Sequence, residues 1–350
     1  VRNYYTFVRD NDLATTHCLT NPQVNRAKSV GDLSDPYIAM GVVESRDDGI
    51  LVRGARMLST LPVADELLVF PSTLLKEGVD NDKYAVAFAI PTHTKGLHFI
   101  SRESMRLDDS SFDHPLSSRL EEMDCLTVFD DVFVPRERIF INQDVARCNA
   151  AYAQTGALMH MSHQVTVLKN AKTEAFLGLI SLMAETIGAD QFPHVQEKIA
   201  EVIVYLEAMR GFWARAERDA TPNAYGLMCP DRGAIDGARN LFPRLYPRIN
   251  EIVHQIGASG MITLPSESDF ASPVGGYLDK FLQSATLPAK RRVQLFRLAW
   301  DMTTSGFGAR QTLYERFFFG DPVRMHQTLF GAYDKNPYKD RIKQFLGWDA

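Results

Sequence analysis

One imidazole, His17, stands in a run of donors, Thr15-Thr-His-Cys-Leu-Thr-Asn-Pro-Gln-Val-Asn-Arg26, that Pro22 breaks into two short pieces. Hydroxyl, amide and guanidinium groups at this density can meet the polar edge of a ring ligand or a substrate oxygen. The imidazole titrates near neutrality and can take a proton, although a solitary histidine is more often a structural hydrogen bonder. Thr60, in Arg56-Met-Leu-Ser-Thr-Leu-Pro62, stands where a strand runs into a turn, and a strand-ending threonine accounts for it equally well. Ser72 and Thr73 follow Pro71 in a loop, where they suit a ligand oxygen or simply a turn or helix cap.

Three further groups invite other readings. His160 and His163 are three apart at a helix start, but no carboxylate or third histidine joins them at metal-ligand spacing. Asp130-Asp-Val-Phe-Val-Pro-Arg-Glu-Arg138 is a charge cluster that reads as a solvated connection from strand to helix. Gln255-Ile-Gly-Ala-Ser-Gly260 reads as a helix end with close helix packing.

Several functions are excluded by missing motifs. Gly306-Phe-Gly308 continues Ala-Arg-Gln and lacks the third glycine of a dinucleotide fingerprint, and no phosphate-binding Gly-x-x-x-x-Gly-Lys-Ser/Thr occurs. Neither Gly-x-Ser-x-Gly nor His-Glu-x-x-His is present, which removes the hydrolase and zinc-peptidase readings. Cys18, Cys125, Cys148 and Cys229 are far apart and read as reduced structural thiols.

The elements that must position these residues come in two kinds. Ile50-Leu-Val-Arg-Gly-Ala-Arg-Met57, Glu66-Leu-Leu-Val-Phe70, Tyr84-Ala-Val-Ala-Phe-Ala-Ile90 and Asp124-Cys-Leu-Thr-Val-Phe129 are strand-like runs between Gly, Pro and Asn-Asp breakers. After Pro135, apolar residues recur at helical spacing over about 156–189, 193–218, 231–258 and 287–318, as in a helical bundle. Tyr4, Tyr5 and Val8 share that spacing, so the chain opens inside a helix, on Val1 rather than Met.

The 350 residues, 45% hydrophobic and 23% charged, suffice for two domains with a large core. A net charge of −5 offers no basic stripe for nucleic acid. No apolar run approaches a bilayer span and no signal peptide opens the chain, which makes the cytoplasm the expected location.

Taken in order, Thr16-His17, Asn21-Pro-Gln-Val-Asn-Arg26, Val52-Arg-Gly-Ala-Arg56, Phe112-Asp-His-Pro-Leu-Ser-Ser-Arg119, Phe129-Asp-Asp-Val-Phe-Val-Pro135 and Phe317-Phe-Phe-Gly-Asp-Pro-Val-Arg324 closely resemble the oxygenase family of 4-hydroxyphenylacetate 3-hydroxylase (monooxygenase). The resemblance runs from Val1 to the last helix. It implies an α+β, acyl-CoA-dehydrogenase-like fold in three parts. Residues 1–13 would end an N-terminal helical domain that is largely missing, 14–141 would form a middle β-barrel, and 142–350 a C-terminal helical bundle that helps to build a homotetramer. The absent part would supply an Arg and a Tyr of the phenol clamp.

The implied activity is that of the oxygenase component of a two-component flavin-dependent monooxygenase. Reduced FAD, supplied by a separate flavin reductase, and O2 would form a flavin C4a-hydroperoxide that ortho-hydroxylates 4-hydroxyphenylacetate to 3,4-dihydroxyphenylacetate. A related phenol or chlorophenol monooxygenase, or a non-catalytic flavin-binding scaffold if the chain is truly truncated, are the alternatives. By the same resemblance His17 contacts the substrate hydroxyl, Thr60 lies near flavin N5, and the Ser72-Thr73 loop closes over the substrate carboxylate. His17, Cys18, Leu19, Gln23, Val24, Asn25 and Arg26, with Leu58, Ser59 and Thr60, run along the flavin. Phe319, Gly320, Asp321 and Pro322 form a C-terminal flavin segment, and Gln255-Ile-Gly resembles the stretch of acyl-CoA dehydrogenases that meets a neighbouring subunit's FAD. One departure is Arg136, where the family has Trp, and it puts only local packing in doubt. The 4-hydroxybutyryl-CoA dehydratase class shares the fold but needs a His followed seven residues later by Cys for its iron–sulfur cluster, and none of the nine histidines has one. The catalytic carboxylate of an acyl-CoA dehydrogenase has no counterpart either.

Overall fold

The computed structural model describes residues 1–58, 61–71, 75 and 81–348. Two compact units divide the chain, one made of residues 1–104 and 121–155, the other of 105–120 and 156–350.

The first unit opens with α1 (Arg2–Asp10) and then builds a sheet from β1 (Thr15–Thr20), β2 (Gly41–Ser45), β3 (Gly49–Leu58), β4 (Glu66–Val69), β5 (Ala87–Pro91), β6 (Leu97–Ser101), β7 (Cys125–Pro135) and β8 (Ile139–Ile141), closing with α2 (Val145–Gln154). The eight strands run in the order β6-β7-β3-β1-β4-β5-β8, with β2 also on β3. Among the described residues no pairing joins β6 to β8, so these strands form a sheet path with two ends. All pairings are antiparallel except β1 with β4.

Alternation in β7 sends Cys125, Thr127, Phe129, Val132 and Val134 inward, and a bulge between Phe129 and Val132 restores the inward phase after two exposed aspartates. Of the charges of 130–138, Asp130 and Asp131 therefore sit inside a strand and the other three in a strand-to-strand turn, not in a strand-to-helix connection. Asp131 adopts φ 51° at the bulge and pairs with Arg53, while 136–138 make a short turn into β8. Opposite, Gly54 takes φ 115°, where a Cβ would stand 2.6 Å from the carbonyl oxygens of Tyr37 and Ala39. The core is an apolar cluster that includes Met40, Ile50, Val52, Leu67, Val69, Phe88 and Phe129.

In the second unit the helices are α3 (Ala157–Thr186), α4 (Pro193–Arg218), α5 (Arg232–Gly257), α6 (Gly275–Phe281), α7 (Ala289–Thr303), α8 (Gly306–Phe317), α9 (Pro322–Ala332) and α10 (Asn336–Phe345), with a hairpin of β9 (Thr221–Pro222) and β10 (Met228–Cys229) between α4 and α5. The expected periodic stretch 287–318 is two helices. Ser305 caps the second by accepting from Gly308 N, and at Gly308 a Cβ would lie 2.6 Å from Thr303 N, a proximity only glycine permits. α5 keeps its helix across Pro243 and Pro247 because both sides bury deeply, Phe242 and Ile249 being fully enclosed. Phe176, Ile180 and Met183 of α3 meet Val202 and Met209 of α4 and Phe242, Ile249 and Val253 of α5 in one core.

The 105–120 segment is anchored to its own unit by carboxylates. Asp301 on α7, 1% exposed, accepts the backbone N–H groups of Leu116 and Ser117, each at 2.8 Å. Asp113 accepts from Glu267 N and pairs with Arg297.

Candidate functional site

Parallel pairing of β1 with β4 sets His17 beside Leu68, and β1 alternates so that Thr16 and Cys18 are buried and His17 is half-buried. The imidazole stacks on Phe70 at 6.3 Å between centroids and 26° between planes. Phe70 in turn meets the Tyr152 ring of α2 at 5.6 Å. Burial lowers the His17 pKa, since the charged imidazolium is the form a low-dielectric site disfavours. At neutral pH His17 is a neutral base with one nitrogen free to accept. Burial pushes the Tyr152 phenol up to about 12 against the opposing pull of Arg56, so Tyr152 is a protonated, largely apolar wall.

Arg56 on β3 is 1% exposed. Its Nη1 donates to the Leu19 carbonyl at 2.9 Å and to the Phe70 carbonyl at 3.3 Å. Cys18 lies near it, fully buried, with its thiol pushed up to about 12 by burial.

After β1 the chain leaves the sheet. Gln23, Val24, Asn25 and Arg26 are exposed. Gln23 Nε2 donates to the Asn21 carbonyl, and Asn25 Oδ1 accepts from Ala27 N, so local turns hold the segment. Asn21 Oδ1 is buried and has no hydrogen-bond partner among the described residues. An acceptor left over beside an open polar run suits a ligand edge that carries N–H donors, as an isoalloxazine does.

Ser59, Thr60, Ser72 and Thr73 lie outside the described residues, and of Leu58 only the backbone, paired with Cys18 and Cys125, is described. The C-terminal group belongs to the second unit. The Phe319 ring has Lys169 Nζ at 5.7 Å and the Arg239 guanidinium at 5.4 Å, Gly320 takes φ 114°, and Asp321 caps α9 by accepting from Arg324 N at 3.0 Å. Pro322 opens that helix, and its carbonyl faces His326 Nδ1 at 2.6 Å. Arg244 approaches the other ring nitrogen of His326 at 3.0 Å, which fixes the proton on Nδ1. His160 and His163 turn to different partners, Cys229 and Glu217, and no group of three metal-ligating side chains occurs among the described residues. Gln255-Ile-Gly ends α5, with Ala258 at φ 42° just beyond it.

Phe70 and Tyr152 complete the His17 surroundings without a sequence signal of their own, and Asn21 stood in the polar run with nothing there to mark its Oδ1 as buried. Arg56 stood in a motif, yet nothing in its spacing marked it as a buried cation.

Comparison with known proteins places the chain in a family. The family model described as "4-hydroxyphenylacetate 3-hydroxylase N terminal" matches residues 1–141, and its C-terminal counterpart matches 148–347. The 4-hydroxyphenylacetate 3-monooxygenase oxygenase component of Thermus thermophilus is 69% identical over 99% of this chain and 72% of its own length. The oxygenase component of Geobacillus sp. is 47% identical over 99% of this chain and 70% of its length. A crystal structure of an oxygenase component of 4-hydroxyphenylacetate 3-monooxygenase complexed with FAD and 4-hydroxyphenylacetate superposes with TM-score 0.95 at 68% identity, covering 99% of this chain and 72% of that one. An archaeal 4-hydroxybutyryl-CoA dehydratase shares the fold at TM-score 0.90 and 19% identity, over 99% of this chain and 70% of that one. So, more distantly, does a glutaryl-coenzyme A dehydrogenase, at 0.53 and 14%, over 90% and 68%. The fold is acyl-CoA-dehydrogenase-like.

Proposed function

Because the chain belongs to the 4-hydroxyphenylacetate 3-hydroxylase family, we propose that it is the oxygenase component of a two-component monooxygenase that hydroxylates 4-hydroxyphenylacetate with reduced FAD and O2. The carrying observation is the neutral, half-buried His17 stacked on Phe70 at one end of an open polar run.

Reduced FAD, when bound, supplies the activation of O2. The chain's own residues do the rest. His17 accepts the hydrogen bond of the substrate phenol, and as the ring is attacked at the ortho carbon it draws off the phenolic proton, raising electron density where the new C–O bond forms. Its burial matters for the sign of that step, since an imidazolium would donate to the phenol oxygen and withdraw density. Phe70, backed by Tyr152, covers one face of the imidazole and keeps water from it.

Asn21 Oδ1 and the 23–26 segment would hold one edge of the isoalloxazine, and Phe319 to Pro322 a further part of the FAD. Thr60 suits a neutral hydroxyl donor beside N5, because a hydroxyl supplies a hydrogen bond without a strong acid. Ser72 and Thr73 supply hydroxyl and N–H donors to the substrate carboxylate. The same reading makes residues 1–13 the close of a helical domain, 14–141 a barrel and 142–350 an oligomerisation bundle of a cytoplasmic homotetramer served by a flavin reductase. Among the described residues no helix is long and apolar enough to cross a membrane.

The test mixes the full-length protein with enzymatically reduced FAD, O2 and a panel of phenols that includes 4-hydroxyphenylacetate, and measures catechol against H2O2. Catechol above the protein-free control is expected. H2O2 alone, with every phenol tried, would overturn the assignment.

A further inference from the structure

The parallel ladder of β1 and β4 stops at the pair Cys18 and Val69. One residue further on, the carbonyls of Leu19 and Phe70 both accept from a single atom, Arg56 Nη1. Arg56 comes from β3, whose pairing with β1 shifts register between Cys18 and Thr20. A side chain thus takes over from backbone where two strands part.

This is a costly way to tie strands. Burial lowers the Arg56 pKa, no carboxylate of the described residues pairs with it, and its Nε has no partner among them. The ionisable groups near it, Cys18, Cys148 and Tyr152, are pushed up to about 12, about 11 and about 12 by burial and so stay neutral. A core that only needed filling would be served as well by Leu or Met, since replacing buried charge with hydrocarbon is often neutral or stabilising. What the guanidinium does that hydrocarbon cannot is donate to two carbonyls at once. One of them belongs to Phe70, whose ring lies between His17 and Tyr152.

We propose that Arg56 is a positioning residue for the hydroxylation: by gripping the Leu19 and Phe70 carbonyls on one nitrogen it sets the Phe70 ring against His17 and so aims the imidazole. Arg56 acts through Phe70 and need not touch the substrate. The inference rests on His17 being the base that meets the phenol.

The experiment uses the full chain with Arg56→Met, Arg56→Lys, Phe70→Leu and the Arg56→Met/Phe70→Leu double variant. Four quantities are read: melting temperature, affinity for oxidised FAD, the His17 titration midpoint by ring-carbon NMR in flavin-free protein, and catechol formed per flavin oxidised. In Arg56→Met the catechol yield falls roughly 10-fold, as a misaimed group in an otherwise intact site would cause. FAD affinity holds, and the His17 midpoint climbs toward the ordinary histidine value. Arg56→Lys recovers part of the yield. The double variant is no worse than Arg56→Met, because residues acting in series are not additive. Parental yield and midpoint in Arg56→Met, or a double variant that loses the product of both single losses, would overturn the proposal. Should Arg56→Met fail to fold, Phe70→Leu with parental yield and midpoint would overturn it equally. If the parent chain makes no catechol at all, the functional reading fails, and the His17 midpoint in Arg56→Met still decides whether Arg56 sets that ring.

Discussion

Lys169 on α3 and Glu315 on α8 form an ion pair in which neither side chain is more than 1% exposed. Lys172 binds the same carboxylate, and the rings of Phe242, Tyr314, Phe318 and Phe319 surround Lys169 Nζ at 5.1 to 5.7 Å. Burial lowers the Lys169 pKa to about 8 even against the attraction of Glu315. The carboxylate thus favours the charged form of the Lys169 amine beside the Phe319 segment.

Glu315→Gln should therefore cost about 3–5 kcal/mol, the usual penalty for stranding one member of a buried pair. Lys169→Met with Glu315→Leu should cost less than Glu315→Gln alone, since no charge is left buried at that position. Urea unfolding of the three proteins measures both differences.

His17 should make stability depend on pH in the acid range. Its folded pKa lies below the unfolded value of about 6.5. The unfolded chain therefore binds the proton first, and stability falls as pH drops from about 6.5 through the lower folded value. His17→Asn removes this dependence. The difference in melting temperature between parent and variant should widen from pH 7.5 to pH 5 in the variant's favour, after other groups cancel between them.

Asn21→Leu removes the buried acceptor beside the 23–26 segment that has no partner among the described residues. If that oxygen receives an N–H of the flavin, oxidised FAD should bind about 5-fold more weakly, one hydrogen bond of about 1 kcal/mol. Unchanged affinity by fluorescence quenching would assign the oxygen to something else.

Gly54→Ala should destabilise the first unit by about 2 kcal/mol or more, because φ 115° and two carbonyl oxygens at 2.6 Å both oppose a Cβ. Gly226→Ala has positive φ but nothing within 4 Å and should cost less, which chemical denaturation of the pair would show.

The parts legible in the sequence are those with local causes. α4 begins at Pro193 and ends at Arg218, where the Phe192-Pro and Thr221-Pro breakers put its limits, and α5 keeps its periodicity across two prolines. The 130–138 stretch was illegible because a bulge lets two aspartates stand in the middle of β7, so that charge no longer marks a strand end. α7 and α8 looked like one helix because Ser305 and Gly308 interrupt the hydrogen bonding without interrupting the apolar pattern. At the site, His17 stood out by residue type and Arg56 did not. Its partners Leu19 and Phe70 are 37 and 14 residues away, and a buried arginine bonded, among the described residues, to carbonyls alone has no side-chain signature.

The grip of Asp301 on Leu116 and Ser117 also has a meaning on the ribosome. Leu116 is synthesised 185 residues before the carboxylate that will hold it. At ~5–20 residues per second, that leaves roughly 10–40 s of translation in which the 105–120 segment lacks its anchor. Over the same interval β7, which follows it in the chain, is already available to β3 and β6. The nascent chain must therefore carry this stretch as a waiting loop while the sheet assembles around its ends, and it is during that wait that a chaperone or a protease would find it.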